Sequence, residues 1–237
     1  MSKRMTKEEW RRRKRRKKIL FRIFAITVIL AAIITPLYVM CRLLIGKQEK
    51  GEVKEETITH ALSNGEEVKL DYLTPNPYSR PQEKLKKIKG VVVHYTANPG
   101  TTAENNRNYF EGLAESGATS ASSHFIIGLE GEIIQCIPLN EISYASNNRN
   151  NDTVAIECCH PDETGKFNEA TYQSLVCVTA ALYIEYGLER EDIIRHYDVT
   201  GKLCPLYYVE HEDEWESFKD DVMKEVKRMQ AEPAEAE

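Results

Sequence analysis

Apolar residues fall into three regimes along the chain. From Ile23 to Cys41 they are nearly continuous, nineteen residues without a charge and rich in Ile, Ala, Leu and Val. At ~1.5 Å per residue such a helix spans roughly 28 Å, close to the hydrocarbon thickness of a bilayer. From Lys47 to about Lys87 apolar positions are scattered among charges and interrupted by Pro75, Pro77 and Pro81. That pattern predicts a stalk with at most one or two short strands. From Ile88 onward short apolar runs alternate with helical periodicity. Val91-Val92-Val93 predicts a buried strand, and 102–115 a helix. Strands are expected over 125–127 and 132–134, joined at a Glu130-Gly131 turn, and over 153–157. Leu175, Val178, Leu182 and Ile184 set the pattern of a helix over 168–186, with Gly187 as its stop. A charged amphipathic helix is expected over 212–229.

Strands alternating with helices predict an α/β domain, with a central mixed β-sheet flanked by helices. The resulting organisation is a basic segment over 1–18, a transmembrane anchor over 19–45, a stalk over 46–86, a folded domain over 87–230 and a flexible tail over 231–237. No internal repeat is visible.

Charge sharpens this division. Residues 1–18 carry eleven Lys or Arg against two Glu, a balance of +9, which leaves −14 on the remainder of a chain whose net charge is −5. A basic block directly before an apolar span keeps that end in the cytoplasm and exports the chain beyond the span. Arg22 and Arg42 bracket the span and can snorkel to its interfaces. The apolar run exceeds the usual length of a signal-peptide core, no small-x-small cleavage pattern comes after it, and Met40 is a poor residue before a lipidated Cys41. The expected location is therefore the cell membrane, single-pass, with the domain outside the cytoplasm. The acidic remainder argues against nucleic acid as its partner, since phosphate neutralisation needs Lys and Arg.

Six Cys and six His supply the candidate chemistry. Cys136, Cys158 and Cys177 fall within apolar patterns and read as small buried hydrophobes. Three positions differ. His94 ends the Val91–Val93 run, His196 follows Ile193-Ile194-Arg195, and Cys204 lies eight residues later before Pro205. Two imidazoles and one thiolate suit Zn²⁺ with a fourth position open. About a hundred residues separate His94 from the others, so spacing alone favours ordinary loop histidines over a zinc site. Glu157 ends an otherwise apolar strand, where a half-buried carboxylate calls for a reason.

Four ordered pieces carry a family resemblance: Val92-Val93-His94-Tyr95-Thr96-Ala97, Ser122-Ser123-His124-Phe125-Ile126-Ile127-Gly128, Val154-Ala155-Ile156-Glu157, and His196-Tyr197-Asp198 with Gly201-Lys202-Leu203-Cys204-Pro205. From about 87 to 215 the sequence resembles the zinc-dependent N-acetylmuramoyl-L-alanine amidases of type 2, the group that includes a phage lysozyme, AmpD and the related peptidoglycan recognition proteins. The resemblance implies zinc ligands at His94, His196 and Cys204. It implies Glu157 as the residue that moves the proton from water to the leaving nitrogen, and Lys202 as a cation facing the developing oxyanion. The implied substrate is the amide between N-acetylmuramic acid and L-alanine in peptidoglycan. Some relatives place a Tyr before the His of the Ser-His-Phe segment, where this chain has Ser123. His124 is left without a role, His160 and His211 read as surface residues, and Tyr95 and Asn98 as parts of the groove wall. The alternative is a non-catalytic recognition module of the same fold, which loss of a ligand or of the acid/base group would signal. A lytic enzyme acting from a released state fits an uncleaved anchor poorly.

Overall fold

Among the described residues, six short strands build one sheet, and helices pack on both of its faces. The computed structural model describes Ile58, Gly65 and residues 67–231, all within one unit, Lys50–Glu237. In chain order the elements are β1 (Val68–Leu70), β2 (Val91–Tyr95), α1 (Ala103–Ser116), β3 (Phe125–Ile127), β4 (Ile133–Gln135), β5 (Val154–Cys158), α2 (Glu169–Tyr186), β6 (Ile193–Arg195), α3 (His196–Thr200), α4 (Leu206–Glu210) and α5 (Glu212–Ala231). Short 3₁₀ turns occupy Asn147–Arg149 and Arg190–Asp192. The spatial order is β1-β4-β3-β5-β2-β6. Only the β3–β4 pair is antiparallel, so the sheet is mixed, as the alternation of strands and helices predicted.

Local signals fix the element ends. Thr102 and Asn105 form a reciprocal capping box at the start of α1, satisfying two backbone N–H groups that lack a helical partner. Asn168 caps α2, its Oδ1 accepting the Thr171 N–H at 2.9 Å. Gly187 ends α2 at φ +59°, a left-handed conformation that glycine adopts without steric cost. The Glu130-Gly131 turn also forms, with the Gly128 N–H donating to the Glu132 carbonyl at 2.8 Å.

Side chains alternate across a strand, which sorts the residues onto two faces. Val91, Val93, Phe125, Ile127, Ile156 and Cys158 join one core, together with α2 and α5. The α5 helix contributes Trp215, Phe218, Val222 and Val226, an i, i+3, i+4 stripe on an otherwise charged helix. Ile126, Ile134, Leu73, Phe110 and Leu113 form a second, smaller core, under α1. That helix packs against β3 and β4. The neighbouring strands β5 and β2 keep an open patch on the α1 side, and Glu157 and His94 stand there as register partners.

The folded region begins earlier than residue 87. β1 pairs in parallel with β4, Leu73 and Leu85 are fully or almost fully buried, and Arg80 grips Glu141 through two 2.8 Å bonds. Residues 67–86 are therefore part of the domain rather than stalk. An edge strand with two exposed residues of three shows no alternation for a sequence pattern to detect. Among the described residues no helix is long and apolar enough to cross a membrane. The basic segment 1–18 and the anchor expected over 19–45 lie outside the described residues.

Candidate active site

Topology closes the distance that sequence left open. β2 lies between β5 and β6, so the ends of three strands meet at one place. His94 is the fourth residue of β2, Glu157 the fourth of β5, and His196 follows β6 directly as the first residue of α3. Cys204 arrives on the loop after α3. That loop folds back because the Gly201 N–H donates to the Tyr197 carbonyl at 2.7 Å and the Tyr197 N–H to the Cys204 carbonyl at 2.9 Å.

Arg195 anchors the start of α3. Its guanidinium bonds Asp198 Oδ1 at 2.8 Å, Glu212 Oε2 at 2.6 Å and the Tyr208 carbonyl at 2.8 Å, and it lies 5.4 Å from the Trp215 ring centroid. A charge this buried is tolerated because it is fully paired. One residue thereby ties α3, α4 and α5 together beside His196.

One N or S atom from each of His94, His196 and Cys204 lies within 4.8 Å of the others. The imidazole rings are 4.7 Å apart at 59°. His94 Nδ1 is 3.8 Å from Cys204 Sγ, whereas tetrahedral zinc with ordinary N and S bond lengths asks for ~3.6 Å. His196 Nδ1 is buried and has no hydrogen-bond partner. Its other nitrogen, Nε2, bonds Asn147 Oδ1 at 3.0 Å, and His94 Nε2 bonds Ser146 Oγ at 3.1 Å. The unpartnered His196 Nδ1 thus converges with the His94 Nδ1–Cys204 Sγ pair. This donor set fits a zinc-like cation.

The electrostatics agree with that fit. Burial, then His196 and Lys202, holds the His94 imidazole well below its ordinary range, so it stays neutral as a ligand must. Burial and Lys202 lower His196 as well. Burial, with Glu157 adding to it, pushes the Cys204 thiol up to about 12, while a backbone bond from Tyr95 and the Lys202 charge pull the other way. Such a thiol ionises readily only when a cation takes the place of its proton.

Glu157 forms part of the floor. Its Oε2 is shut from solvent and has no hydrogen-bond partner, while the carboxyl group borders a cavity of about 410 Å³ shared with the three donors. Burial raises its pKa to about 8, against the pull of Lys202. A carboxyl that changes protonation near neutrality is suited to both accepting and returning a proton. Lys202 is exposed on the rim.

All five residues singled out from sequence therefore meet in one cleft. Tyr95 also lines it, as expected, but Asn98 does not: it is exposed, and its carbonyl accepts from Thr101. His211 is exposed, as read. His160 is not a surface residue. It is 2% exposed, packs 5.1 Å from the Tyr95 ring and bonds the Asp162 carbonyl. Its Pro-Asp-Glu-Thr surroundings look solvated, but the turn folds its ring inward. His124 proves to be a buried clamp, Nδ1 accepting the Ala155 N–H and Nε2 donating to the Glu141 carbonyl, each at 3.0 Å. Ser146, Asn147 and Asn150, which border the cleft or its donors, carry no sequence signal beyond a polar run.

Comparison with known proteins gives the same picture. The family described as N-acetylmuramoyl-L-alanine amidase matches residues 84–206, just over half of the chain. The N-acetylmuramoyl-L-alanine amidase CwlL of Bacillus licheniformis is 34% identical over 163 residues, 63% of this chain and 44% of that protein. BlyA of Bacillus subtilis strain 168, another N-acetylmuramoyl-L-alanine amidase, is 34% identical over 172 residues, 64% of this chain and 45% of its own length. The chain thus spans less than half the length of these relatives. The solved structure of PlyL superposes with a TM-score of 0.57 at 24% identity, over 66% of this chain and 96% of that one, a likeness of fold. Fold, site geometry and family match together place this chain in the N-acetylmuramoyl-L-alanine amidase family.

Proposed function

We propose that this chain hydrolyses the amide joining the lactyl group of N-acetylmuramic acid to L-alanine in peptidoglycan, with zinc held by His94, His196 and Cys204. The observation that carries the proposal is the convergence of the His94, His196 and Cys204 donor atoms beside a buried, partnerless carboxyl oxygen in one cleft. Zinc in such a site supplies Lewis acidity, polarising a carbonyl oxygen and making water acidic enough to attack near neutral pH.

The chain's own residues do the rest. Glu157, ionised, takes a proton from the attacking water and passes it to the departing nitrogen, which leaves as an amine rather than as an amide anion. Its burial serves this cycle, because a carboxyl held near neutrality gives and accepts the proton with little penalty in either direction. Lys202 on the rim faces the cleft and offsets negative charge as it grows on the carbonyl oxygen. Tyr95, Phe110 and Tyr144 wall the cleft and limit water around the reacting bond. A recognition module would leave the cost of burying Glu157 without a use.

The test is mass spectrometry of muropeptides incubated with the protein. The proposal predicts intact peptides beginning at L-alanine, together with glycan carrying a free lactyl carboxylate. Cleavage within the peptide or the glycan would refute the bond assignment, and binding without cleavage would favour the recognition reading.

We also infer that the chain is held at the cell membrane through residues 19–45, with the domain outside the cytoplasm. The support is the uncharged run 23–41 behind a basic block. Carbonate extraction with protease added from outside tests it. The domain should stay with membranes and be cleaved, whereas extraction or protection would contradict it.

A further inference from the structure

Two hydrogen bonds at the back of the metal-donor cluster come from adjacent residues of one turn. Ser146 Oγ meets His94 Nε2 and Asn147 Oδ1 meets His196 Nε2. Ser146 is 1% exposed. Asn147 opens the Asn147–Arg149 turn at φ +52°, a region that disfavours most side chains and that Asn tolerates. The turn is pinned from behind. Asn150 Oδ1 accepts the N–H groups of Ala145 and Ser146 at 3.2 and 2.6 Å, and Arg149 pairs with Asp152 at 2.7 Å.

A neutral imidazole has one N–H, and an amide oxygen can only accept. The bond to Asn147 Oδ1 therefore puts the His196 proton on Nε2 and leaves Nδ1 a bare lone pair. The opposite orientation, with the amide NH₂ donating to Nε2, would aim an Nδ1–H at a buried spot that holds no hydrogen-bond partner. The same assignment at His94 makes the Ser146 hydroxyl an acceptor and turns Nδ1 toward Cys204 Sγ. Asn147 thus fixes the tautomer and orientation of the His196 ring, and Ser146 holds the orientation of the His94 ring.

We infer that Ser146 and Asn147 are positioning residues that preset His94 and His196 for metal capture through Nδ1, with Asn150 bracing their turn. The inference rests on the reading of His94, His196 and Cys204 as ligands. Losing such a partner typically weakens metal binding 10–100-fold.

The experiment titrates Co²⁺ into the metal-stripped full chain in competition with a chromophoric chelator, and records the visible absorption of the complex. Asn147→Gly keeps the left-handed backbone and removes the acceptor, Asn147→Asp keeps an acceptor, and Ser146→Ala removes the hydroxyl. Asn147→Gly and Ser146→Ala should each weaken cobalt binding about 10–100-fold and shift its ligand-field bands, while Asn147→Asp should stay near wild type. The two positions test the inference independently, so a variant that does not fold still leaves the other to decide. Unchanged affinity and spectrum in the folded acceptor-deleting variants overturn the inference and leave the ligand reading intact. A wild-type chain that binds no cobalt overturns that reading, and the inference with it.

Discussion

Replacing His124 with Phe tests the wiring of the sheet without touching the proposed chemistry. His124 is fully buried. Its ring joins the Ala155 N–H of β5 to the Glu141 carbonyl, and Glu141 in turn holds Arg80. Phenylalanine fills similar space but leaves both backbone groups without a partner. At about 1–3 kcal/mol for each orphaned group, the variant should lose roughly 2–6 kcal/mol of stability near pH 7.5. The loss should also depend on pH. Burial lowers the His124 pKa to about 4, although the Glu141 carbonyl and charge favour the protonated form. Between pH 6.5 and 4 the unfolded chain binds a proton that the native chain does not, so this histidine's contribution falls as pH falls. Linkage gives a loss of about 2 kcal/mol by pH 5 and about 3 by pH 4. Urea unfolding of wild type and His124→Phe across that range isolates the effect, because all other titrating groups are common to both. The stability gap should narrow on acidification by those amounts. A gap below ~1 kcal/mol at pH 7.5, or one that does not change with pH, would refute the neutral-clamp reading.

Other perturbations address the site and its supports. Glu157→Gln should lower turnover by about 10²–10⁴-fold while leaving bound metal unchanged; parallel loss of metal would recast Glu157 as part of the ligand set. Arg195→Ala takes the guanidinium partner from the buried Tyr208 carbonyl and should cost about 1–3 kcal/mol in thermal or urea unfolding, and no measurable loss would mean that the network is dispensable. Removing residues up to 86 exposes the sites of Leu73 and Leu85 and leaves β4 unpaired on one side. Such a chain should aggregate or melt far below the full chain, and equal melting temperatures would show that 67–86 is stalk after all.

The candidate site was legible because its residues sit where apolar runs stop. His94 and Glu157 lie near strand ends, and His196 directly follows β6. A polar side chain just after a buried run has a positional meaning that sequence displays. Their convergence was not legible from spacing, since it depends on β2 lying between β5 and β6; the family resemblance supplied it. Residues 67–86 were misread because edge pairing and isolated buried positions such as Leu73 leave no periodic trace. Ser146 and Asn147 went unread for a related reason. A polar run that folds under a metal cluster has the same composition as one that faces water, and only the partners of its side chains tell them apart.

The central claim is that His94, His196 and Cys204 hold the metal on which peptidoglycan cleavage depends. Stepwise addition of zinc to the metal-stripped full chain, with release of L-alanine-terminated peptide measured at each step, tests it most directly. Cleavage should be absent at the start, rise in proportion to added zinc and level off at one zinc per chain. Full cleavage before any zinc is added, or stoichiometric binding with no cleavage, would contradict the account.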